Sequence, residues 1–216
     1  MGMRRQISQT EAGLAASLLL AFVVPVQADN GSSSDTSKAA RIVAESVCVR
    51  CHGVEGRSTD PVVPSIAGQQ RKYLEVQMKN FRAERRRDPD AQHYMWAIGA
   101  TWLADDQMVE DVAAYFAAKT FPAGKPVDAA TAATGKKFFE SVNAGSGFPA
   151  CSGCHGANAE GLSVFPRLAG QSPKYLLRQM QMLQVGLRET SAVHSHMLQG
   201  LSDADLGSVA AYLSSK

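Results

Sequence analysis

The sequence predicts an all-α protein built from two tandem copies of one small helical domain. Apolar residues recur at helical spacing in three segments of each half. A set of short motifs occurs twice, in the same order and at a nearly constant separation. No segment shows the strict apolar and polar alternation that is typical of a strand.

The repeat establishes the domain organisation. Four motifs recur: Glu-Ser-Val at 45 and 140, Cys-x-x-Cys-His at 48 and 151, Ala-Gly-Gln at 67 and 169, and Val-Ala-Ala-Tyr at 112 and 209. Matches in this order indicate two copies of one unit. Pro122, Gly124 and Pro126 mark a break between them. We therefore predict domains at 36–119 and 131–216, joined by a linker at 120–130.

Three helices are predicted in each copy. In the first copy they cover about 38–47, about 71–85 and a segment beginning near Asp105 and Asp106. The last helix has apolar residues at i, i+3, i+4 and i+7 in both copies. Ser172 and Pro173 form a natural N-cap and first-turn pair for the middle helix of the second copy.

The repeated Cys-x-x-Cys-His motif is the attachment pattern for c-type haem. Two thiols at this spacing bond the haem vinyl groups, and the adjacent imidazole becomes the proximal iron ligand. The chain has 4 cysteines, and the two motifs use all of them. The sequence therefore predicts two covalently bound haem c groups. The predicted attachment residues are Cys48, Cys51, Cys151 and Cys154, and the predicted proximal ligands are His52 and His155.

The cysteine pairs have three other interpretations. Four thiolates suit a structural zinc site, although the histidine after each pair would then be unexplained. A disulfide is possible in an exported protein. A thioredoxin-like redox motif would need a strand before the pair and a helix after it, and we find no such strand.

Each haem iron needs a distal ligand, and methionine or histidine is usual. Met95 and Met197 occupy equivalent positions in the two copies, each in a predicted loop between two helices. The remaining histidines, His93, His194 and His196, are not equivalent between copies. We therefore predict Met95 and Met197 as distal ligands. A histidine ligand at the second haem, His194 or His196, stays open as the alternative.

Charge and composition exclude other classes of protein. The formal net charge of +2 is too small for a typical nucleic-acid-binding protein. Residues 1–28 are predicted to be a cleaved signal peptide, with Arg4 and Arg5 before an apolar run at 14–26. That run is shorter than the roughly 20 residues that a spanning helix needs. We therefore expect a periplasmic protein.

The combined motifs resemble the dihaem cytochromes c of the cytochrome c4 family. The resemblance rests on the two haem motifs, the Pro and Ala-Gly-Gln segments at 64–69 and 166–171, and the closing Ala-Ala-Tyr helices. It implies two class I cytochrome c folds with His52/Met95 and His155/Met197 as axial pairs. It also implies that the haem propionate edges lie close together at the domain interface. Family members carry electrons from a quinol-oxidising cytochrome complex to terminal oxidases.

We therefore expect an electron carrier without catalysis of its own, monomeric or weakly oligomeric. Its partners would be redox proteins, namely a cytochrome complex, an oxidase or a dehydrogenase, and peripheral membrane association is possible. One alternative is the cytochrome subunit of a dehydrogenase acting on a sulfur compound. Another is a dihaem peroxidase-like enzyme, for which His194 and His196 are the only hint. The basic run Arg85–Arg87 would either end a solvated helix or dock an acidic partner.

Overall fold

The computed structural model describes residues 31–141, 149–188 and 192–216. The predicted signal peptide, residues 1–28, lies outside the described residues. Within them the chain is helical and contains no strand, which confirms the all-α prediction. The helices are α1 (Gly31–Val43), α2 (Val49–His52), α3 (Arg71–Arg82), α4 (Gln92–Trp102), α5 (Asp106–Ala117), α6 (Ala129–Glu140), α7 (Cys151–His155), α8 (Pro173–Gln184), α9 (Ala192–Met197) and α10 (Asp203–Ser214).

Each half has its own hydrophobic core, formed where its first, middle and last long helices meet. In the first half, α1, α3 and α5 pack around Val109, Val112 and Phe116, none of which is more than 1% exposed. In the second half, α6, α8 and α10 pack around Phe139 and Leu213. The apolar stripes read from the sequence therefore face the two cores, as predicted.

The helix starts follow the capping residues of the sequence. Asp105 accepts a hydrogen bond from the Gln107 backbone at the start of α5. Ser172 caps α8, with Pro173 as its first residue. At the start of α10, Ser202 and Asp205 form a reciprocal capping box. These bonds satisfy backbone N–H groups that have no partner inside the helix.

The middle helix ends earlier than predicted. We expected it to reach residue 85, but α3 ends at Arg82. Glu84 adopts a left-handed conformation, and the Arg85 backbone N–H returns to the Asn80 carbonyl at 2.8 Å. This is a Schellman motif, which turns the following residues back towards the helix. The second half repeats it with Gly186 in the left-handed position and Leu187 bonded to Met182.

The linker is packed against both Ala-Gly-Gln turns. Gly68 and Gly170 have positive φ angles of 59° and 72°. A Cβ atom at Gly68 would lie 2.9 Å from the Phe121 backbone nitrogen, and one at Gly170 would lie 2.6 Å from the Pro122 carbonyl oxygen. Both turns therefore need glycine, for its backbone conformation and for the close approach of the linker.

The structure also bears on membrane attachment. Among the helices of the described segments, none has the length and apolar character needed to cross a membrane.

The crossing of α6 and α10 gives a stability prediction. A Cβ at Gly135 would lie 2.0 Å from the Ser208 carbonyl oxygen, so Gly135→Ala forces the two helices apart. We expect a loss of about 1–3 kcal/mol in the free energy of unfolding. Gly207→Ala is the matched control, because α10 has open space around Gly207. It should raise stability by about 0.5–1 kcal/mol. Denaturant titration of both holoproteins measures the difference, and equal effects would contradict the close crossing.

Candidate haem-binding sites

Each haem motif forms a short helix that ends at its histidine. Cys48 closes a π-helical turn, Ala44–Cys48, and α2 carries Cys51 and His52. In the second half α7 contains the whole motif, from Cys151 to His155. The helical path brings the two cysteines and the histidine of each motif within one turn of backbone.

The two proximal histidines are oriented in the same way. His52 Nδ1 lies 2.8 Å from the Pro64 carbonyl oxygen, and His155 Nδ1 lies 3.0 Å from that of Pro166. A carbonyl only accepts hydrogen bonds, so each Nδ1 must carry the proton and donate it. The other ring nitrogen, Nε2, is then left as the metal-binding atom. The prolines that the sequence placed in the loops beside the histidines supply this contact.

Burial keeps both imidazoles neutral, as a metal ligand requires. It lowers the pKa of His52, and the positive charge of Arg86 lowers that pKa further. Burial also lowers the pKa of His155. Among the cysteines, burial raises the pKa of the Cys48 thiol to about 11 and raises that of Cys151.

The arrangement of the cysteines favours haem over the other readings. All 4 thiols are free, so neither pair forms a disulfide. Within the described segments no three His, Cys, Asp or Glu side chains come together in a group able to hold a metal ion. The zinc reading therefore lacks a ligand set in this part of the chain.

The predicted distal residues do not lie in loops. Met95 lies within α4 and Met197 is the last residue of α9. Both side chains are partly buried. The loop prediction was wrong because the apolar residues around Met95, from Tyr94 to Ile98, form a helix of their own. His93 is exposed, with its ring edge-on to Tyr94, whereas the ring of His194 lies 6.1 Å from that of His155.

The glutamine of each Ala-Gly-Gln motif binds the opposite half of the protein. Gln171 accepts from the Ser65 backbone N–H at 3.0 Å and donates to the Ser65 carbonyl at 2.9 Å. Gln69 makes the same pair of bonds to Arg167, at 2.7 and 2.9 Å. Ser65 and Arg167 directly follow Pro64 and Pro166. Each glutamine therefore holds the loop that orients the proximal histidine of the other half.

A second set of paired residues lies between the halves, three of them buried and three half-buried. The pairs are Tyr73 with Tyr175, Gln77 with Gln179, and Arg86 with Arg188, each separated by the same number of residues. We call these six residues and Asp88 the interface cluster. Arg86 donates to Gln77, Gln179 and Tyr175, while Arg188 donates to the same two glutamines. Both arginines are almost fully buried, with exposures of 4% and 6%.

The interface cluster has no counterpart in the sequence predictions. The sequence predicts one exposed basic run at 85–87. In the structure Arg85 and Arg87 are exposed, whereas Arg86 is buried. The signal was present in the sequence, because Arg86 and Arg188 keep the spacing of the other repeated residues. Their burial follows from the Schellman turns, which fold residues 86 and 188 back against α3 and α8.

Two helical domains, each with a Cys-x-x-Cys-His helix and a histidine fixed by a proline carbonyl, define tandem class I cytochrome c folds. The cytochrome c family model matches residues 37–118 and 132–216. The chain belongs to this family and, within it, to the dihaem cytochrome c4 type, which binds two haem c groups covalently and transfers electrons rather than catalysing a reaction.

Its relatives support this assignment. Cytochrome c-552 of Acidithiobacillus ferridurans is 35% identical over 78% of this chain and 73% of its own length. The thiosulfate dehydrogenase electron acceptor of Stutzerimonas stutzeri is 30% identical over 93% of this chain and 91% of its own length. The cytochrome c4 structure from Acidithiobacillus ferrooxidans has a TM-score of 0.71 and 34% identity, and the match covers 78% of this chain and 98% of that one.

The glutamine contacts between the two halves predict a measurable contribution to stability. Gln171→Ala removes both partners of the buried Ser65 peptide groups, so we expect a loss of about 1–3 kcal/mol in the free energy of unfolding. Gln107→Ala is the control, since exposed Gln107 bonds through its amide to Asp111 on the same helix. It should change stability by less than about 0.5 kcal/mol. Denaturant unfolding of the holoproteins tests this, and equal losses would argue against the cross-domain contact.

Proposed function

We propose that this protein is a periplasmic electron carrier that accepts electrons from a respiratory donor and delivers them to a terminal acceptor. The observation that carries the proposal is the matched pair of sites, each with a neutral histidine whose Nδ1 is fixed on a proline carbonyl. When bound, each haem supplies reversible one-electron chemistry at its iron. The chain's own contribution is to hold, orient and insulate the two groups.

The residue roles follow from the motif geometry. Cys48 and Cys51 would hold the first haem through thioether bonds, and Cys151 and Cys154 would hold the second. His52 and His155 would be the proximal ligands through Nε2. Met95 is proposed as the distal ligand of the first haem, where its thioether favours the ferrous state. For the second haem, Met197 stays a prediction, with His194 as its competitor.

The interface cluster fits the carboxylate groups that a haem carries. Arg86 and Arg188 bring two positive charges into a buried site, where the carboxylate of Asp88 lies 3.5 Å from Arg86. The Nε atoms of both arginines are buried and lack a hydrogen-bond acceptor among the described residues. A buried guanidinium needs an anionic partner with which to share its protons. We propose that the haem propionates supply these acceptors and so meet at the interface.

A second function is supported by one relative in particular. The thiosulfate dehydrogenase electron acceptor of Stutzerimonas stutzeri matches nearly the full length of this chain. The dedicated electron acceptor of a sulfur-compound dehydrogenase would use the same two sites but would have a permanent partner. Co-purification from the native source distinguishes this role from that of a freely diffusing carrier.

The first experiment is an absorption spectrum of the protein made with haem maturation, oxidised and reduced, with and without carbon monoxide. We expect two low-spin haems per chain and no carbon monoxide response, because the proposed proximal and distal residues would together leave no open position on either iron. A high-spin haem that binds carbon monoxide or is rapidly oxidised by peroxide would favour the peroxidase-like alternative. A protein that matures without covalent haem would end the proposal.

The buried charges give a prediction about reduction potential. Arg86→Gln removes a positive charge near the first haem site, which should favour ferric iron and lower one midpoint potential by about 60 mV, a tenfold change in a one-electron equilibrium. Asp88→Asn removes a negative charge from the same cluster and should shift it upwards. Spectroelectrochemical titration measures both variants, with Arg87→Gln, an exposed neighbour, as control.

Opposite shifts are the mark of an electrostatic role for the cluster. If Arg86→Gln and Asp88→Asn both reduce stability and leave the two midpoint potentials unchanged, the cluster only stabilises the contact between the two halves.

A further inference from the structure

We infer that Gln69 and Gln171 are positioning residues that tune the reduction potential of the haem in the opposite half of the protein. Each acts through a single peptide group and through the hydrogen bond that this peptide accepts from the proximal histidine. The inference rests on the proposed function, because it takes His52 and His155 as the proximal iron ligands. It adds that each ligand is controlled by a side chain of the other domain.

The carbonyl that fixes His52 and the N–H that binds Gln171 belong to the same peptide group. Pro64 supplies the carbonyl oxygen, 2.8 Å from His52 Nδ1, and Ser65 supplies the N–H, 3.0 Å from Gln171 Oε1. Hydrogen bonds at the two ends of one amide strengthen each other, because an N–H that donates shifts electron density towards the carbonyl oxygen. A continuous hydrogen-bonded path therefore connects Gln171 to the imidazole of His52.

The second half contains the same path in the opposite direction. His155 Nδ1 lies 3.0 Å from the Pro166 carbonyl oxygen, and the Arg167 N–H of that peptide donates to Gln69 Oε1 at 2.7 Å. We call these two paths the crossed relays, because each begins at a glutamine of one domain and ends at a histidine of the other.

The partners of each glutamine fix which end of its side-chain amide faces the relay. Gln171 Oε1 also accepts from the Ser172 N–H at 3.0 Å, and its Nε2 donates to the Ser65 carbonyl at 2.9 Å. Gln69 Oε1 likewise accepts from the Gln70 N–H at 2.9 Å. An amide nitrogen cannot accept from these N–H groups, so the oxygen must face the relay in both glutamines.

Burial strengthens the crossed relays. Gln69, Gln171 and Ser65 are each no more than 6% exposed. Hydrogen bonds in such a site are electrostatically stronger than they are in water. A stronger acceptor at the proline carbonyl raises the basicity of the imidazole as an iron ligand, which favours the ferric state. Each glutamine therefore lowers the reduction potential of the haem that the opposite domain holds.

The first test replaces one relay glutamine at a time. Gln171→Met removes the acceptor of the Ser65 N–H, so the midpoint potential of the first haem should rise while that of the second stays unchanged. Gln69→Met should raise the potential of the second haem alone. We expect about a threefold change in the one-electron equilibrium, which corresponds to about 30 mV. A redox titration of the holoprotein monitored by NMR follows the two haems separately.

Gln70→Met is the matched control. Gln70 also binds the opposite half, through the Glu160 and Gly161 carbonyls at 3.0 and 3.2 Å, but neither carbonyl belongs to the peptide that joins Pro166 to the next residue. Its loss should weaken the contact between the halves without changing either potential. Equal shifts from Gln69→Met and Gln70→Met would overturn the inference, because the potentials would then respond only to a weaker interface. A shift confined to the haem of the substituted domain would overturn it as well.

A second readout is the Nδ1 proton of each proximal imidazole in the ferrous holoprotein. Gln171→Met should move the His52 proton upfield, because its hydrogen bond weakens. Gln171→Glu keeps an acceptor oxygen and gives it negative charge, so it should move the same proton downfield. If Gln171 has only a structural role, the two variants move this proton in the same direction or leave it in place, and the inference is overturned.

The same spectra separate failure of the inference from failure of the proposed function. Haem-shifted imidazole protons of His52 and His155 that no glutamine variant moves contradict only the crossed relays. The absence of haem-shifted protons from both histidines contradicts the proposed proximal ligands, and the proposed function fails with them.

Discussion

The hydrogen bond from each proximal histidine to a proline carbonyl is the contact on which the two sites depend. It fixes which ring nitrogen carries the proton, and with it the nitrogen that stays available to bind a metal. Burial alone would leave the imidazole neutral but free to adopt either tautomer. The carbonyl removes that freedom, because it can only accept a hydrogen bond and Nδ1 must therefore carry the hydrogen. The short helices that carry the cysteines then place the thiols near an imidazole ring whose orientation is already fixed.

The same loops join the two domains. Gln69 and Gln171 each bind the backbone of the residue that follows the opposite proline, so the orientation of each histidine is supported from the other half. The linker runs against both turns, at a distance that only glycine at positions 68 and 170 permits. Movement of one domain against the other would therefore disturb both histidines. An electron carrier with two centres benefits from such a joint, since it keeps the two haem positions fixed relative to each other.

The two halves share the same helical scaffold but differ in a few polar and charged side chains. The cores, the Schellman turns, the glutamine contacts and the buried arginines occur in both halves. Among the described residues, Asp88 of the first half adds a carboxylate to the interface cluster. His194 lies beside the second proximal histidine, with Gln92 at the corresponding position of the first. The two halves therefore share one scaffold and differ in individual side chains at the interface and beside the second site.

The sequence by itself determined the helical class, the duplication and the haem motifs, because each depends on the spacing of residues that lie close together in the chain. Helical stripes, the Ser172 cap and the Cys-x-x-Cys-His pattern act over a few residues, and the structure confirms the stripes and the cap. The helix expected to reach residue 85 ends at Arg82, because Glu84 adopts a left-handed conformation. Glycine is the usual residue in that conformation, so a glutamate gives no sign of it in the sequence.

Only the tertiary structure decided which distant residues meet. Arg86 looked like part of an exposed basic run, yet the turn after α3 buries it against Gln179 and Tyr175 of the other half. Met95 and Met197 looked like loop residues, and both belong to helices. The ring of His194 faces that of His155 because α9 packs near the second proximal site, a contact between residues far apart in the chain. Spacing along a chain fixes local geometry, whereas such contacts depend on how the helices pack.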